Sequence, residues 1–363
     1  DTLAPRPMLR RFFTSDSSDG DTLAKVNTFF GMTSSSERTR FVLEHLCEKF
    51  SGDVRGFSVT VRESLPTIEL SNGYTSELKD LKVKGVDQDH TPHLVTNISE
   101  LFSQSSNETL YALTQAGVLE AKSTLLAPVK NEDDYGLLVL QRFDGKLSEQ
   151  DLNIASQWGT LLATSHELEQ RASQAQQSLI EFSKTFMEAI ESQDFEQLGH
   201  AERVTNYALA LGRARGLSRQ DLLDLYFAAM LHDVGKLGSG LDLSIEDPNH
   251  PQRGANMLAA SSLLETSRNA IRSHHEHWDG TGFPSKLIGE RIPLLARIIT
   301  VADTFDFLSS ERGQALTLNE VEKALSVRAS KQLDPELVRL FKEILREGKS
   351  TKILAKLNEE ALS

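Results

Sequence analysis

The chain has 363 residues, 39% of them hydrophobic and 25% charged, with a formal net charge of −13 at neutral pH. That length supports two or three domains with separate cores, and the acidic balance excludes broad electrostatic binding to a nucleic acid polymer or an anionic membrane. No apolar run approaches the roughly 20 residues of a membrane span and no secretory leader is recognisable, so a cytoplasmic location is expected, while a single cysteine, Cys47, leaves neither an internal disulfide nor a cysteine-based zinc cluster.

Residues 1–20 end in the small polar run "SDSSDGD" and read as a tail. "ERTRFVLEHLCEKF" then has helical apolar spacing, with Cys47 as an inert core position. "GFSVTVRE" alternates Phe57, Val59 and Val61 as a half-buried strand does. His90 and His93, in "DQDHTPH", read as loop histidines rather than a ligand pair. "STLLAPVKNEDDYGLLVLQRFDG" reads as two strands around a polar turn, and "LSEQDLNIASQWGTLLATSHEL" as a helix opened by Ser148 capping against Asp151. Residues 21–160 are therefore expected to form an α+β domain with an antiparallel sheet.

Leu161, Leu168, Ala175, Phe182 and Ala189 recur every seven residues, with Ala172, Leu179 and Phe186 four places after three of them. This a/d seam predicts a connecting helix over 161–190, suited to pairing with a second chain or to packing on its own domain.

Six of the ten histidines fall between 200 and 277. His200, His232 with Asp233, His250, His274 with His275, and Asp303 lie in or beside segments of helical periodicity, so their side chains are expected to project from several helices into one bundle interior. Burying so many imidazoles and carboxylates requires partners away from water. Metal ions satisfy all of them together, and a His-Asp dipeptide allows one carboxylate to be shared by two ions about 3.5–4 Å apart. Neutral imidazole and carboxylate suit iron, manganese, zinc or nickel, and the lack of thiolates disfavours structural zinc. In "HHEHWDGTGFP", Asp279, Gly280 and Gly282 predict a sharp turn. Glu276 is expected to support the ligands from behind, and His277 and Trp278 to pack or face solvent.

The order of elements in residues 21–160 resembles the GAF-type sensor domain, which implies a regulatory input of unspecified ligand. Residues 191–363, with "HDVGK" and "HHEHWDGTGFP", resemble the HD-GYP family of metal-dependent phosphohydrolases. The resemblance implies an all-α bundle, a centre of two or three ions, most often iron and otherwise manganese, and hydrolysis of cyclic di-GMP to pGpG or GMP in bacterial signalling. It makes His200, His232, His250, His274, His275 and Asp303 terminal ligands, with Asp233 bridging. It implies Glu196 as support for a third ion, Lys236 as a phosphate contact or proton donor, and Arg297 and Arg312 as basic residues near the phosphates. A diguanylate cyclase domain enters as an implied partner.

Two features depart from the family pattern. Phe283 occupies the tyrosine place of the GYP signature, keeping a ring and removing a hydroxyl, and the segment 237–249 is short, which predicts a more open site. Both put turnover in doubt and leave metal binding intact. A cyclic-dinucleotide receptor acting through partner contacts, or an HD phosphohydrolase for another nucleotide, therefore stand as alternatives to the phosphodiesterase.

Overall fold

A computed structural model of the protein describes residues 20–62, 65–74, 78–84, 91–130, 135–192, 197–237, 247–310 and 315–347. The chain divides into two units, Asp1–Gln174 and Ala175–Ser363. The expected tail, apart from Gly20, and His90, Glu196 and Arg312 lie outside the described residues.

In the first unit, helices α1 (Gly20–Gly31) and α2 (Ser35–Lys49) precede a five-stranded sheet. Ser34 caps α2, its side chain accepting from the amide of Glu37. The strands are β1 (Val54–Arg62), β2 (Leu65–Asn72), β3 (His93–Val95), β4 (Ser123–Lys130) and β5 (Tyr135–Arg142), in the order β2-β1-β5-β4-β3, every neighbour antiparallel. Helices α3 (Ile98–Leu101) and α4 (Asn107–Gln115) fall between β3 and β4.

The apolar run of "YGLLVL" has a structural cause. Leu137 and Val139 pack with Phe57, Ile68, Phe102 and Leu113 in one core, while Leu138 and Leu140 join Leu43, Leu46, Trp158 and Leu162 in another. The sheet is thus covered on both faces, so β1 is more deeply buried than its alternation predicts and even Ser58 is buried. Burial also pushes the Cys47 thiol up to about 11, consistent with an inert cysteine. His93 sits in β3 with Nδ1 2.8 Å from the carbonyl of Thr91.

A single 43-residue helix, α5 (Glu149–Glu191), replaces the separate closing and connecting helices read from the sequence. Ser148 and Asp151 cap it reciprocally, the Ser148 amide donating to Asp151 over 2.8 Å and the Asp151 amide to Ser148 Oγ over 3.2 Å. Along the heptad seam Leu161 is buried, whereas Leu168, Phe182 and Phe186 are exposed, the last two rings stacked on each other.

The second unit is helical: α6 (His200–Ala214), α7 (Arg219–Met230), α8 (His250–Met257), α9 (Glu265–Ser273), α10 (Leu294–Ser309), α11 (Leu318–Arg328) and α12 (Pro335–Glu347) surround one apolar core. Ser218 and Asp221 form the capping box that starts α7, and Thr317 and Glu320 the one that starts α11.

Candidate metal centre

The histidines stand at helix ends rather than along apolar helical faces. His200 is the first residue of α6 and His250 the first of α8; His232 and Asp233 follow α7, and His274 and His275 follow α9. Only Asp303 lies mid-helix, in α10. The expectation of ligands projecting from helix faces is corrected on this point: except for Asp303, the described candidates converge from helix ends and the turns beside them.

Two glycines make the convergence possible. A Cβ on Gly235 would lie 2.0 Å from the carbonyl oxygen of His250, so only glycine lets the short 3₁₀ segment Val234–Lys236 rest against the start of α8. A Cβ on Gly282 would lie 2.3 Å from the amide of His277, which explains the glycine of the GFP turn. Glu276 accepts from the amides of Ser285 and Leu287 over 2.6 and 2.9 Å, holding this loop closed. Its partners are main-chain amides of the loop and not the ligand imidazoles, which corrects the role expected for it. Asp279 accepts from the Thr281 amide over 3.0 Å, as the turn reading requires.

Four of the five imidazoles, those of His200, His232, His250 and His274, are fixed from behind. Nδ1 of His232 donates to the Ala229 carbonyl over 2.7 Å, that of His250 to Asp247 over 2.7 Å and that of His274 to Ile271 over 2.6 Å. Nδ1 of His200 donates instead to Asp306 over 2.8 Å. Carbonyl and carboxylate oxygens only accept, so Nδ1 carries the proton and Nε2 of the neutral ring is left with a lone pair.

These lone pairs face one another. Nε2 of His250 is 3.1 Å from Nε2 of His274, and Nε2 of His200 is 3.3 Å from Nε2 of His232. Burial holds His274 well below the ordinary imidazole range and lowers His275 to about 4, so neither ring gains a proton near neutral pH. Opposed acceptors repel unless a cation lies between them. Ligands about 2.1 Å from one ion are separated by about 3.0 Å at a right angle and about 3.4 Å at a tetrahedral angle, so the observed spacings fit transition-metal coordination.

Two clusters result, His250 with His274 and His275, and His200 with His232 and Asp233. Asp233 reaches both: its Oδ1 is 3.2 Å from His250 Nε2, and its Oδ2 is 3.5 Å from His232 and 3.7 Å from His200. Burial works to raise this carboxyl, but the positive charge beside it, the Lys236 ammonium above all, outweighs burial and holds it well below the usual carboxylate range. Asp303 Oδ1 is 3.4 Å from His200 Nε2. Lys236 Nζ is 2.5 Å from Asp233 Oδ2. All of the described candidate ligands and Lys236 are thus brought together.

A cavity of about 460 Å³ opens on His250, His274, His275, Asp233 and Asp303, its wall including Lys236, Phe283, Phe307, Arg328 and Gln332. Phe283 stacks on His275 with ring centroids 5.0 Å apart and planes 12° apart. Arg297 is elsewhere and is corrected as a substrate contact. Its Nη1 is 2.6 Å from Asp334, its Nε donates to the Ile292 carbonyl over 3.0 Å, and its guanidinium lies over Trp278. Its charge is used to tie α10 to the start of α12.

Three contributors escaped the sequence reading. Asp306 is buried, orients His200 and is gripped by Arg203, whose Nε lies 2.7 Å from Asp306 Oδ1. Glu191 accepts from the amides of Gly199 and Ala201 over 2.7 Å each, fixing the turn from which His200 emerges. Arg328 supplies a cation to the cavity wall. For Asp306 a signal existed in "ADTFDFL", a second aspartate three residues after Asp303 and therefore on the same helical face.

Residues 184–337 match the HD domain family. This part of the chain is an HD domain. Over 246 residues the chain is 30% identical to the cyclic di-GMP phosphodiesterase response regulator RpfG of Xanthomonas campestris, covering 62% of each protein. Two Vibrio cholerae proteins, the 3′3′-cGAMP-specific phosphodiesterases 3 and 2, are 34% identical over 162 residues and 30% identical over 171 residues, which is 40% and 43% of this chain and 35% and 33% of theirs. The chain therefore spans between about one third and three fifths of the length of these relatives. The residues matched by the HD domain model include both clusters and Asp303.

Proposed function

We propose that the protein is a metal-dependent phosphodiesterase that opens a cyclic dinucleotide, cyclic di-GMP or a related molecule such as the cGAMP hydrolysed by its Vibrio relatives, to a linear product. One observation carries this reading: two buried sets of opposed imidazole lone pairs are joined through Asp233, and one of them, His250 with His274 and His275, lines with Asp233 and Asp303 a cavity large enough for part of a dinucleotide.

His200, His232, His250, His274, His275 and Asp303 would be terminal ligands, with Asp233 shared between two ions; the metal would be iron or manganese. A pair of such cations supplies a water acidic enough to ionise near neutral pH and neutralises charge on the phosphate oxygens. The chain's own residues orient the reaction. Asp306 and the backbone carbonyls lock the imidazoles of His200, His232, His250 and His274 in one tautomer, so Nε2 of these four is available as a ligand. Lys236 holds an ammonium beside Asp233, where it is placed to contact the phosphate and to protonate the departing ribose oxygen as the P–O bond breaks. Arg328 offers a cation to a second phosphate, and Phe283 and Phe307 offer rings against which a base can stack.

Phe283 favours a second reading, a cyclic-dinucleotide receptor of slow turnover, because its ring fills the tyrosine place by stacking on His275 without a hydroxyl to offer the substrate. We place the protein in the cytoplasm, with the first unit as a GAF-like sensor; the order β2-β1-β5-β4-β3 between flanking helices supports that assignment. The exposed Leu168, Phe182 and Phe186 support pairing of two chains along α5, and a diguanylate cyclase domain is a candidate partner of the receptor form. A third ion would draw on Glu196.

The test loads anaerobically purified protein with iron or manganese, quantifies metal per chain, and follows cyclic di-GMP and cGAMP by chromatography. Linear product from the protein and none from Asp233→Ala supports the enzyme. Metal and nucleotide binding without product supports the receptor, and recovery of turnover in Phe283→Tyr would place the defect at the missing hydroxyl. A protein that retains no metal overturns both.

A further inference from the structure

Asp233 and His250 reach the centre from different elements, the turn after α7 and the first residue of α8, yet Asp233 Oδ1 stands 3.2 Å from His250 Nε2. The backbones around them meet through glycine: a Cβ on Gly235 would strike the His250 carbonyl and the Gly254 amide, and one on Gly254 would come within 3.2 Å of the Gly235 amide. A contact between glycines is close but smooth, so its register has to be held by side chains elsewhere.

Arg253, three residues after His250 on α8, supplies that hold. Its Nη1 donates to the Gly235 carbonyl over 2.5 Å and its Nη2 to Asp247 Oδ2 over 2.7 Å. Asp247 is in turn the residue whose carbonyl accepts from Nδ1 and from the amide of His250, over 2.7 and 3.0 Å. Its Oδ1 accepts from the Asn249 amide over 2.9 Å. One guanidinium therefore ties the backbone between Asp233 and Lys236 to the residue that orients His250. Gly235 and Asp247 also stand on either side of the segment 238–246, so the tie fixes the two ends of that segment to α8. The Asp247 side chain is only 8% exposed, and charge-assisted bonds to such a group are the stronger kind. A planar fork serves both acceptors at once, whereas a lysine ammonium in its place would reach one of them.

We infer that Arg253 is a positioning residue of the metal centre. Acting through Gly235 and Asp247, it sets the spacing of Asp233 and His250 on which a second ion depends, and it does not itself line the cavity. The inference rests on the metal-binding part of the proposed function and is independent of whether a dinucleotide is hydrolysed.

Manganese added to the metal-free full chain tests it. Competition with a chelator gives the number and affinity of bound ions, and electron paramagnetic resonance separates a magnetically coupled pair of Mn(II) ions from isolated ones. The unaltered protein should bind two ions and give the coupled spectrum. Arg253→Ala should hold the second ion roughly 10–100-fold more weakly and shift the spectrum towards isolated ions, with helical content unchanged by circular dichroism. Arg253→Lys should recover part of the loss. Asp247→Asn should weaken the second ion in the same way, and combining it with Arg253→Ala should add little, because both changes break one path. If Arg253→Ala fails to fold, Arg253→Lys and Asp247→Asn decide by the same readings. Variants that load both ions with unaltered affinity and spectrum, whatever their melting temperatures, overturn the inference and leave the metal-dependent function standing. Fully additive losses in the double variant also overturn it. An unaltered protein that binds no manganese overturns this inference together with the proposed function.

Discussion

The two units bury polar groups by opposite means. In the first, a sheet covered on both faces encloses hydroxyls and carboxylates within a cavity, and their partners are scattered side chains such as Arg38 and Ser35. In the second, polar groups are concentrated at helix ends and tied from behind to main-chain carbonyls. The first arrangement leaves little trace in sequence, because serines, threonines and glutamates are ordinary surface residues elsewhere. The second is legible, because histidines beside glycines and aspartates are uncommon enough to be noticed. Loss of a single side chain should therefore be far more damaging in the second unit than in the first.

Asp233→Ala should break that comparison most clearly. It removes a carboxylate with one oxygen toward each cluster, so metal per chain measured by mass spectrometry should fall and any turnover should drop by more than about 10²–10³-fold. An unchanged metal content would show that the clusters do not depend on a shared ligand.

Acid should act on the second unit before the first. His275 has its pKa lowered to about 4 from an ordinary 6.5, chiefly by burial, and burial likewise holds His274 well below that ordinary value. A histidine held neutral in the fold binds its proton more readily when unfolded, so the metal-free protein should be most stable above about pH 6.5. Stability should decline as the pH falls through that value, by up to about 3 kcal/mol from His275 by pH 4. Denaturant melts of metal-free protein between pH 4 and 8 measure this, and a flat profile would contradict neutral, buried rings.

Asp306→Asn should have an intermediate effect. It keeps the shape but weakens the grip on His200 Nδ1 and leaves Arg203 facing a neutral amide, so metal affinity should fall roughly 10–100-fold with the helical content unchanged. Competition with a chelator reads the affinity, and circular dichroism the helix. The smallest effect is expected at Cys47. With its thiol pushed up to about 11, alkylation of the native protein at pH 8 should be slow compared with that of the unfolded chain.

Much of the site could be read from local sequence because its ligands come in short segments with fixed neighbours. "HDVGK" shows its histidine, its shared aspartate and the glycine that permits close approach within five residues. What could not be read depends on partners far along the chain. Asp306 matters because of a histidine 106 residues earlier, and Arg297 loses its expected role to an aspartate 37 residues later. The placement of ligands on helix faces failed for a related reason: apolar periodicity locates the helices but does not show that His200 and His250 are their first residues. In the first unit "YGLLVL" was recognisable as a strand, yet its burial on both sides depended on α4 and α5 arriving from elsewhere.

The opposed nitrogens of His250 and His274 have a consequence for the stability of the chain itself. An interior that sets acceptor against acceptor resists its own closure until a positive ion relieves it, so loading adds directly to the free energy that keeps the chain folded. Cells starved of the ion would hold more of the chain in open, degradable form, and the amount of protein present would follow the supply of the element before any signal reached it.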